Sequence, residues 1–174
     1  IDIAFLMAGE GRRMHGDTVP SELPDKWAMS IRQPIGIAGI ITPWNFPIAI
    51  PAWKAAPALA FGNTVVIKPA NITTAIATAL ATIIHECGAP PGVFNMVLGR
   101  GRIGAHLAAH PDVDAVSFTG SQGVGAQVAA AALSHQARIQ LEMGGKNPLV
   151  ILADADLDRA VAIALDGGFF QTGQ

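Results

Sequence analysis

The chain has 174 residues, 51% hydrophobic and 14% charged, which is enough apolar material to bury the core of about one domain and argues against a disordered chain. Its formal net charge is −2 and its 11 Lys and Arg are scattered without a run, so no nucleic-acid or anionic membrane partner is expected. Apolar runs are broken by Gly, Pro or charge well short of the ~20 residues that span a bilayer, and no basic region leads into an apolar core at the N-terminus, so a soluble, cytoplasmic protein meeting small molecules and sister subunits is expected.

Taken in chain order, residues 2–14 read as the end of a helix. Residues 16–32 alternate turn signals at Val19-Pro20 and Leu23-Pro24 with short extended pieces such as Trp27-Ala28-Met29-Ser30-Ile31. A regular alternation follows. Strand-like runs are expected at Ile35–Ile41, Thr64–Lys68, Val93–Leu98, Ala115–Phe118, Arg138–Glu142 and Leu149–Leu152. Helix-like runs are expected at Ile48–Phe61, Thr74–Cys87, Ile103–Ala109, Val124–Ser134 and Leu157–Phe170. Strands that are apolar at successive positions and separated by helices imply an α/β fold: an open, Rossmann-like parallel sheet with helices on both faces, binding its ligand at the carboxyl ends of the strands. Asn71-Ile72-Thr73-Thr74 and Asp154-Ala155-Asp156 offer helix caps, and the alanine-rich second and fourth helices suit close packing on a sheet.

Several residues at strand ends could carry chemistry. Asn45 lies in Thr42-Pro43-Trp44-Asn45-Phe46-Pro47, between a strand and a helix, where an amide either bonds nearby backbone or faces a ligand. Lys68 ends an apolar strand, where the usual reading is a solvated head on a buried stem. Glu142 ends another strand before Gly144-Gly145; taken alone it reads as a solvated carboxylate at a turn. Gly99, Gly101 and Gly104 satisfy G-x-G-x-x-G between a strand and a helix. That unit is not the first of its kind, however, and the next strand ends at Phe118-Thr119 rather than at an acid, so tight-turn geometry accounts for these glycines equally well.

Other constellations fail on spacing. Thr119 stands where a G-x-S-x-G nucleophile elbow around Ser121 needs glycine. His106 and His110 form an i, i+4 pair without an acidic or thiol companion and with Pro111 directly after, so no metal site is expected. Cys87, the single cysteine, sits at a helix end before Ala89-Pro90-Pro91-Gly92 and reads as a small buried packing residue.

Four segments in order, Thr42-Pro43-Trp44-Asn45-Phe46-Pro47, Lys68-Pro69-Ala70-Asn71, Phe118-Thr119-Gly120-Ser121 with Gly125, and Leu141-Glu142-Met143-Gly144-Gly145-Lys146, resemble the aldehyde dehydrogenase superfamily. The resemblance runs over nearly the whole chain. It implies NAD- or NADP-dependent oxidation of an aldehyde to an acid through a cysteine thiohemiacetal and thioester. Asn45 would hold the oxyanion and Glu142 would act as the general base. Family members that pass the acyl group to coenzyme A or phosphate usually lack this Glu, so its presence favours the hydrolytic reaction.

The cofactor would be held by Thr42, Pro43, Trp44, Lys68, Ala70, Asn71, Gly101, Gly120, Ser121 and Met143. Gly101 would line the adenosine side, and the pyrophosphate would sit against Gly120-Ser121, where a helix begins. Asn71 departs from the Glu that often grips the ribose hydroxyls in the family; a neutral amide does not repel a 2′-phosphate, so NADP is expected to be accepted.

By the same resemblance, residues 1–15 form the end of a cofactor-domain helix, 16–32 strands of an oligomerisation arm, and 33–174 the dinucleotide-binding domain, with the catalytic domain absent. Gln171-Thr172-Gly173-Gln174 resembles the start of the family's Gly-Gln-x-Cys segment, which places the nucleophilic cysteine two residues past Gln174 and makes the chain a fragment expected to be inactive alone. The full-length protein would be a homodimer or homotetramer. Ser21-Glu22-Leu23-Pro24 and Lys68-Pro69-Ala70-Asn71 resemble semialdehyde dehydrogenases acting on short dicarboxylic semialdehydes. The rival reading is a non-catalytic dinucleotide-binding or structural module of a cysteine-less relative. A dehydrogenase using a Tyr-Lys pair is disfavoured because the chain has no Tyr.

Overall fold

Apolar residues at successive positions of a strand demand cover on both faces, and the strands here receive it. The computed structural model describes residues 1–174, with 172–173 described by their backbone alone. The chain divides into two units, Ile1–Gly144 and Gly145–Gln174.

The first unit contains α1 (Asp2–Gly11), β1 (Thr18–Pro20), β2 (Trp27–Met29), β3 (Ile37–Ile41), α2 (Ala49–Ala60), β4 (Thr64–Lys68), α3 (Thr74–Glu86), β5 (Phe94–Met96), α4 (Gly101–Ala108), β6 (Ala115–Gly120), α5 (Gln122–Leu133) and β7 (Arg138–Met143). Strands β3 to β7 form one five-stranded sheet in the order β5-β4-β3-β6-β7, and every pairing in it is parallel. The expected open parallel α/β sheet is therefore present. The chain starts in the middle at β3, builds outward through β4 to β5, then returns to the other side of β3 with β6. The strand order consequently reverses between β3 and β6, and the loops leaving their carboxyl ends diverge there to leave a crevice.

Side-chain alternation sorts the core into two layers. Ile40, Val65, Ile67 and Phe94 pack on one face with Ala55 of α2 and Ala81 of α3. Ile41, Val116 and Phe118 pack on the other with Leu107 and Ala108 of α4 and Val128 and Ala132 of α5. Alanine and glycine at the helix contacts permit this closeness: a Cβ at Gly104 would stand 3.3 Å from Lys68 Cδ. The amino end of β3 is pinned by side chains. Asn63 Oδ1 accepts from the Ile35 N–H at 2.6 Å and the Gly36 N–H at 3.1 Å, and Asp114 Oδ2 accepts from the Ile37 N–H at 2.7 Å.

The extended pieces expected within residues 16–32 form the antiparallel pair β1–β2, with Thr18 opposite Met29 and Pro20 opposite Trp27. It is exposed throughout. The cap expected at Asn71–Thr74 is absent in that form: residues 71–73 make a single 3-10 turn, and no side chain caps α3. The Thr73 hydroxyl donates to the Ala70 carbonyl at 3.0 Å and the Thr74 hydroxyl to the Asn71 carbonyl at 2.8 Å, so both threonines bond backward instead of holding the helix N–H groups. Cys87 is the C-cap of α3, as its position suggests, but it is exposed rather than packed. Helices that connect parallel strands end at the sheet's amino edge, and the chain turns away at once through Gly88 (φ +89°), leaving no neighbour to cover the thiol.

In the second unit, Asp156 caps α6 (Leu157–Phe169): its Oδ1 accepts from the Arg159 N–H at 3.1 Å, as the sequence suggests. The apolar run Leu149–Leu152 is not the expected strand. It has no regular structure and all four side chains are exposed. A strand needs a neighbour to complete its hydrogen bonds, and none among the described residues pairs with this segment.

No helix among the described residues is long and apolar enough to cross a membrane.

Candidate functional site

The register of the sheet brings the candidate residues to one edge. Ile41 pairs with Lys68 on one side and with Phe118 on the other, and Phe118 pairs with Leu141. Thr42 to Asn45, Pro69 to Asn71, Gly120-Ser121 and Glu142-Met143 therefore all lie at or just beyond the carboxyl edge. Those following β3 and β6 flank the crevice.

A cavity of about 470 Å³ lies on the α4/α5 face. Its floor is Ile41, Lys68 and Phe118, and its walls are Gly101, Arg102 and Gly104 of α4 and Val124, Gln127 and Val128 of α5. Lys68 is 7% exposed, against the expectation of a solvated head. Burial depresses the pKa of its ammonium below the ordinary lysine value. The one hydrogen bond it makes among the described residues is Nζ to the Pro69 carbonyl at 2.8 Å, so two further donors remain for a ligand. Lys68 and Arg102 are the charged residues of the lining, and both are cationic.

Next to this cavity α5 begins. Its N-cap, Ser121, makes no side-chain cap bond, and no acidic residue occupies the first turn. The first N–H groups of this 12-residue helix and the Ser121 hydroxyl are thus available to an anion. Gly120 and Gly125 fit the same local geometry: a Cβ at Gly120 would strike the Phe118 ring, and one at Gly125 would overlap Met143 Sδ. Thr42 lies across the crevice, 4% exposed, with Oγ1 buried and without a hydrogen-bond partner among the described residues. An orphaned buried hydroxyl beside an uncapped helix and two cations fits a phosphate-bearing ligand with hydroxyl groups.

A second cavity, about 530 Å³, lies on the opposite face, between α2 and the β6–β7 side of the sheet. Glu142 lines it together with Thr119, Ser117 and Gln140 of the sheet and Trp53 and Lys54 of α2. Glu142 Oε1 accepts from Gln140 Nε2 at 3.1 Å. Lys54 Nζ donates to Ser117 Oγ at 2.7 Å and to Gln140 Oε1 at 3.2 Å. Its pKa is lowered chiefly by burial, an effect opposed by the attraction of Glu142.

Of the expected residues, Lys68 and Gly101 share the α4/α5 cavity and Glu142 lines the other. Asn45 lines neither: it is exposed, on the loop that carries the chain from β3 onto α2, the helix that walls the Glu142 cavity. Pro43, Trp44, Ala70, Asn71, Gly120, Ser121 and Met143 lie at the same edge outside both linings. Sequence reasoning missed Arg102, Lys54, Ser117 and Gln140. Alternation could have found the last two, since 117 and 119 on β6 and 140 and 142 on β7 must face one side. Among the described residues no cluster of three or more His, Cys, Asp or Glu could hold a metal ion, and His106 and His110 meet only edge to face.

Comparison with known proteins gives a concordant result. The sequence profile of the aldehyde dehydrogenase family matches residues 1–174. The alpha-ketoglutaric semialdehyde dehydrogenase of Bacillus subtilis is 50% identical over 175 residues, covering 100% of this chain and 36% of its own length. A crystal structure of an E. coli NADP-dependent enzyme superposes with a TM-score of 0.91 at 46% identity, covering 97% of this chain and 35% of that one. A lactaldehyde dehydrogenase structure superposes with a TM-score of 0.95 at 42% identity, covering 99% and 36%. This chain thus spans about a third of the length of the relatives it matches.

Proposed function

Since this chain belongs to the aldehyde dehydrogenase family, we propose that it forms the cofactor-binding part of an enzyme that oxidises an aldehyde to a carboxylic acid with NAD+ or NADP+. The observation that carries this reading is the pair of cavities on opposite faces of one sheet, both reaching the edge where the strand order reverses. One is cationic and adjoins an open helix N-terminus; the other holds a carboxylate.

Lys68, Gly101 and Arg102 hold the adenosine half of the cofactor, with Ala70 and Asn71 beside the ribose. The N–H groups at Gly120, Ser121 and the start of α5 hold the pyrophosphate. Thr42, Pro43, Trp44 and Met143 flank the remainder. Bound there, NAD(P)+ supplies the acceptor for the hydride that the aldehyde carbon loses. Two cations in the adenosine cavity, and an amide at Asn71 where a carboxylate would repel a 2′-phosphate, favour NADP. The NADP dependence of the E. coli enzyme, 46% identical, supports that preference.

The chain's own residues then act on the acyl group. When a thiolate adds to the aldehyde, the Asn45 amide donates to the oxygen that gains negative charge. Loss of hydride leaves a thioester, and Glu142 takes the proton of the water that attacks it, which releases the acid and restores the thiol. Cys87 is not that thiol, because it lies at the amino edge of the sheet, away from both cavities.

The 50% identity to a semialdehyde dehydrogenase supports a short dicarboxylic semialdehyde as substrate. The exposed apolar residues Val19, Trp27 and Met29 of the β1–β2 pair support a homo-oligomer with this hairpin as a contact, and a free exposed cysteine, Cys87, fits a reducing, cytoplasmic setting. The test is aldehyde-dependent production of NAD(P)H by the intact enzyme, with succinic semialdehyde compared against propanal. Reduced cofactor together with the carboxylic acid supports the reading. Absence of turnover with every aldehyde and both cofactors, from a protein that still binds dinucleotide, would assign the chain to a non-catalytic module.

A further inference from the structure

The cavity that holds Glu142 also holds a hydrogen-bonded chain across three elements: Lys54 on α2, Ser117 on β6 and Gln140 on β7. Lys54 Nζ lies 2.7 Å from Ser117 Oγ and 3.2 Å from Gln140 Oε1, the Ser117 hydroxyl donates to Gln140 Oε1, and Gln140 Nε2 donates to Glu142 Oε1 at 3.1 Å. The orientation of the amide follows from chemistry. Its carbonyl oxygen meets two donors and its N–H₂ meets a carboxylate; the flipped amide would set N–H₂ against an ammonium and oxygen against a carboxylate, losing the bonds to Lys54 and Glu142.

No ion pair within 4.0 Å joins Lys54 to Glu142 among the described residues. The amide therefore stands between the two charges with its dipole aligned to both, an arrangement in which each hydrogen bond strengthens the next. Residues 140 and 142 alternate on one strand and face the same side, so the contact is built into β7 itself. Beyond Met143 the chain continues into Gly144, which has no side chain to pack beside the carboxylate. Glu142 is itself exposed, and the Gln140 amide is the hydrogen-bond donor that meets its side chain among the described residues.

We propose that Gln140 is a positioning residue for the reaction assigned above: held by Lys54 and Ser117, it aims the Glu142 carboxylate into the cavity for the attack of water on the thioester. This inference rests on the reading of Glu142 as the base.

The experiment compares Gln140→Met, Ser117→Ala, Glu142→Gln and the double variant Gln140→Met/Glu142→Gln in the intact enzyme, by rapid mixing and by steady-state turnover. Gln140→Met is expected to keep the first-turnover burst of NAD(P)H and the KM for the aldehyde within about twofold, while thioester hydrolysis slows roughly 10- to 100-fold, the scale of a misplaced catalytic group. Ser117→Ala, which removes only one support of the amide, is expected to slow the same step less. The double variant is expected to be no slower than Glu142→Gln alone, because Gln140 acts through Glu142; a residue with only a structural role would add its loss.

Additive losses in the double variant, or unchanged hydrolysis in both Gln140→Met and Ser117→Ala, would overturn the inference while leaving the base intact. Unchanged hydrolysis in Glu142→Gln would overturn the base and this inference with it. Should Gln140→Met fail to fold, Ser117→Ala carries the comparison.

Discussion

Replacing Gly101 by leucine separates the cofactor site from the fold. Gly101 opens α4 and lines the cavity of about 470 Å³ that is assigned to the adenosine. A Cβ built there meets nothing within 4 Å and the backbone is not in the left-handed region, so the larger residue enters without disturbing the protein. Removing a glycine from a helix is worth up to about 1 kcal/mol of stability, so the denaturation midpoint should hold or rise. The leucine side chain grows into the cavity proposed for the adenosine. Overpacking of a formed site costs about 1–3 kcal/mol, and with 1.4 kcal/mol per tenfold, NADP+ affinity should fall roughly 5- to 150-fold. Calorimetric titration of the intact enzyme with NADP+, run beside a urea unfolding curve, reads both quantities. Unchanged affinity in a normally stable variant would refute placement of the adenosine between α4 and α5.

Further outcomes follow from the same geometry. Asn45→Ala should lower kcat by ~10²–10³, the cost of one oxyanion donor, with little change in the dissociation constant of the cofactor; an equal loss in cofactor affinity would contradict its role. Asn71→Glu should move the ratio of kcat/KM for NADP+ and NAD+ toward NAD+, and a strong NAD+ preference in the parent enzyme that survives this change would remove Asn71 as the determinant. Phe94, 1% exposed in the layer with Ile40, Val65 and Ile67, should cost about 3–5 kcal/mol when changed to alanine, read from the urea midpoint.

Lys68→Met should change the pH dependence of stability. Burial holds the native pKa of Lys68 below the ordinary 10.5, so the protonated lysine penalises folding, and the penalty fades as pH rises through the native pKa toward 10.5. The wild type should therefore gain stability relative to the variant between that lowered pKa and 10.5, and the difference should be flat at lower pH. A difference constant to pH 10.5 would mean that the lysine is solvated.

The sheet was legible because its strands are apolar at consecutive positions. Thr64-Val65-Val66-Ile67 can be covered only from both sides, and the glycines and prolines between runs mark where each strand stops. The same signal misled at Leu149–Leu152, because an apolar run does not reveal whether a partner strand exists. The Asn71–Thr74 cap failed for a related reason: Ser, Thr and Asn suit several local hydrogen bonds, and here the threonine hydroxyls bond backward to carbonyls. Asn45, Lys68 and Glu142 were legible as polar groups at strand ends in an α/β pattern. The burial of Lys68 was not, since the closeness of α4 at Gly104 is a tertiary fact. Lys54, Ser117 and Gln140 stand far apart in sequence on three elements and meet only through the strand order.

In the proposed arrangement one cofactor spans the edge between β3 and β6, joining the two faces of the sheet. A crystal structure of the intact enzyme with NADP+ measures this directly. Adenosine is expected between α4 and α5 beside Lys68 and Gly101, pyrophosphate oxygens bonded to the first N–H groups of α5, and the reactive ring on the face that carries Glu142. A dinucleotide bound elsewhere, or one leaving the start of α5 empty, would contradict it.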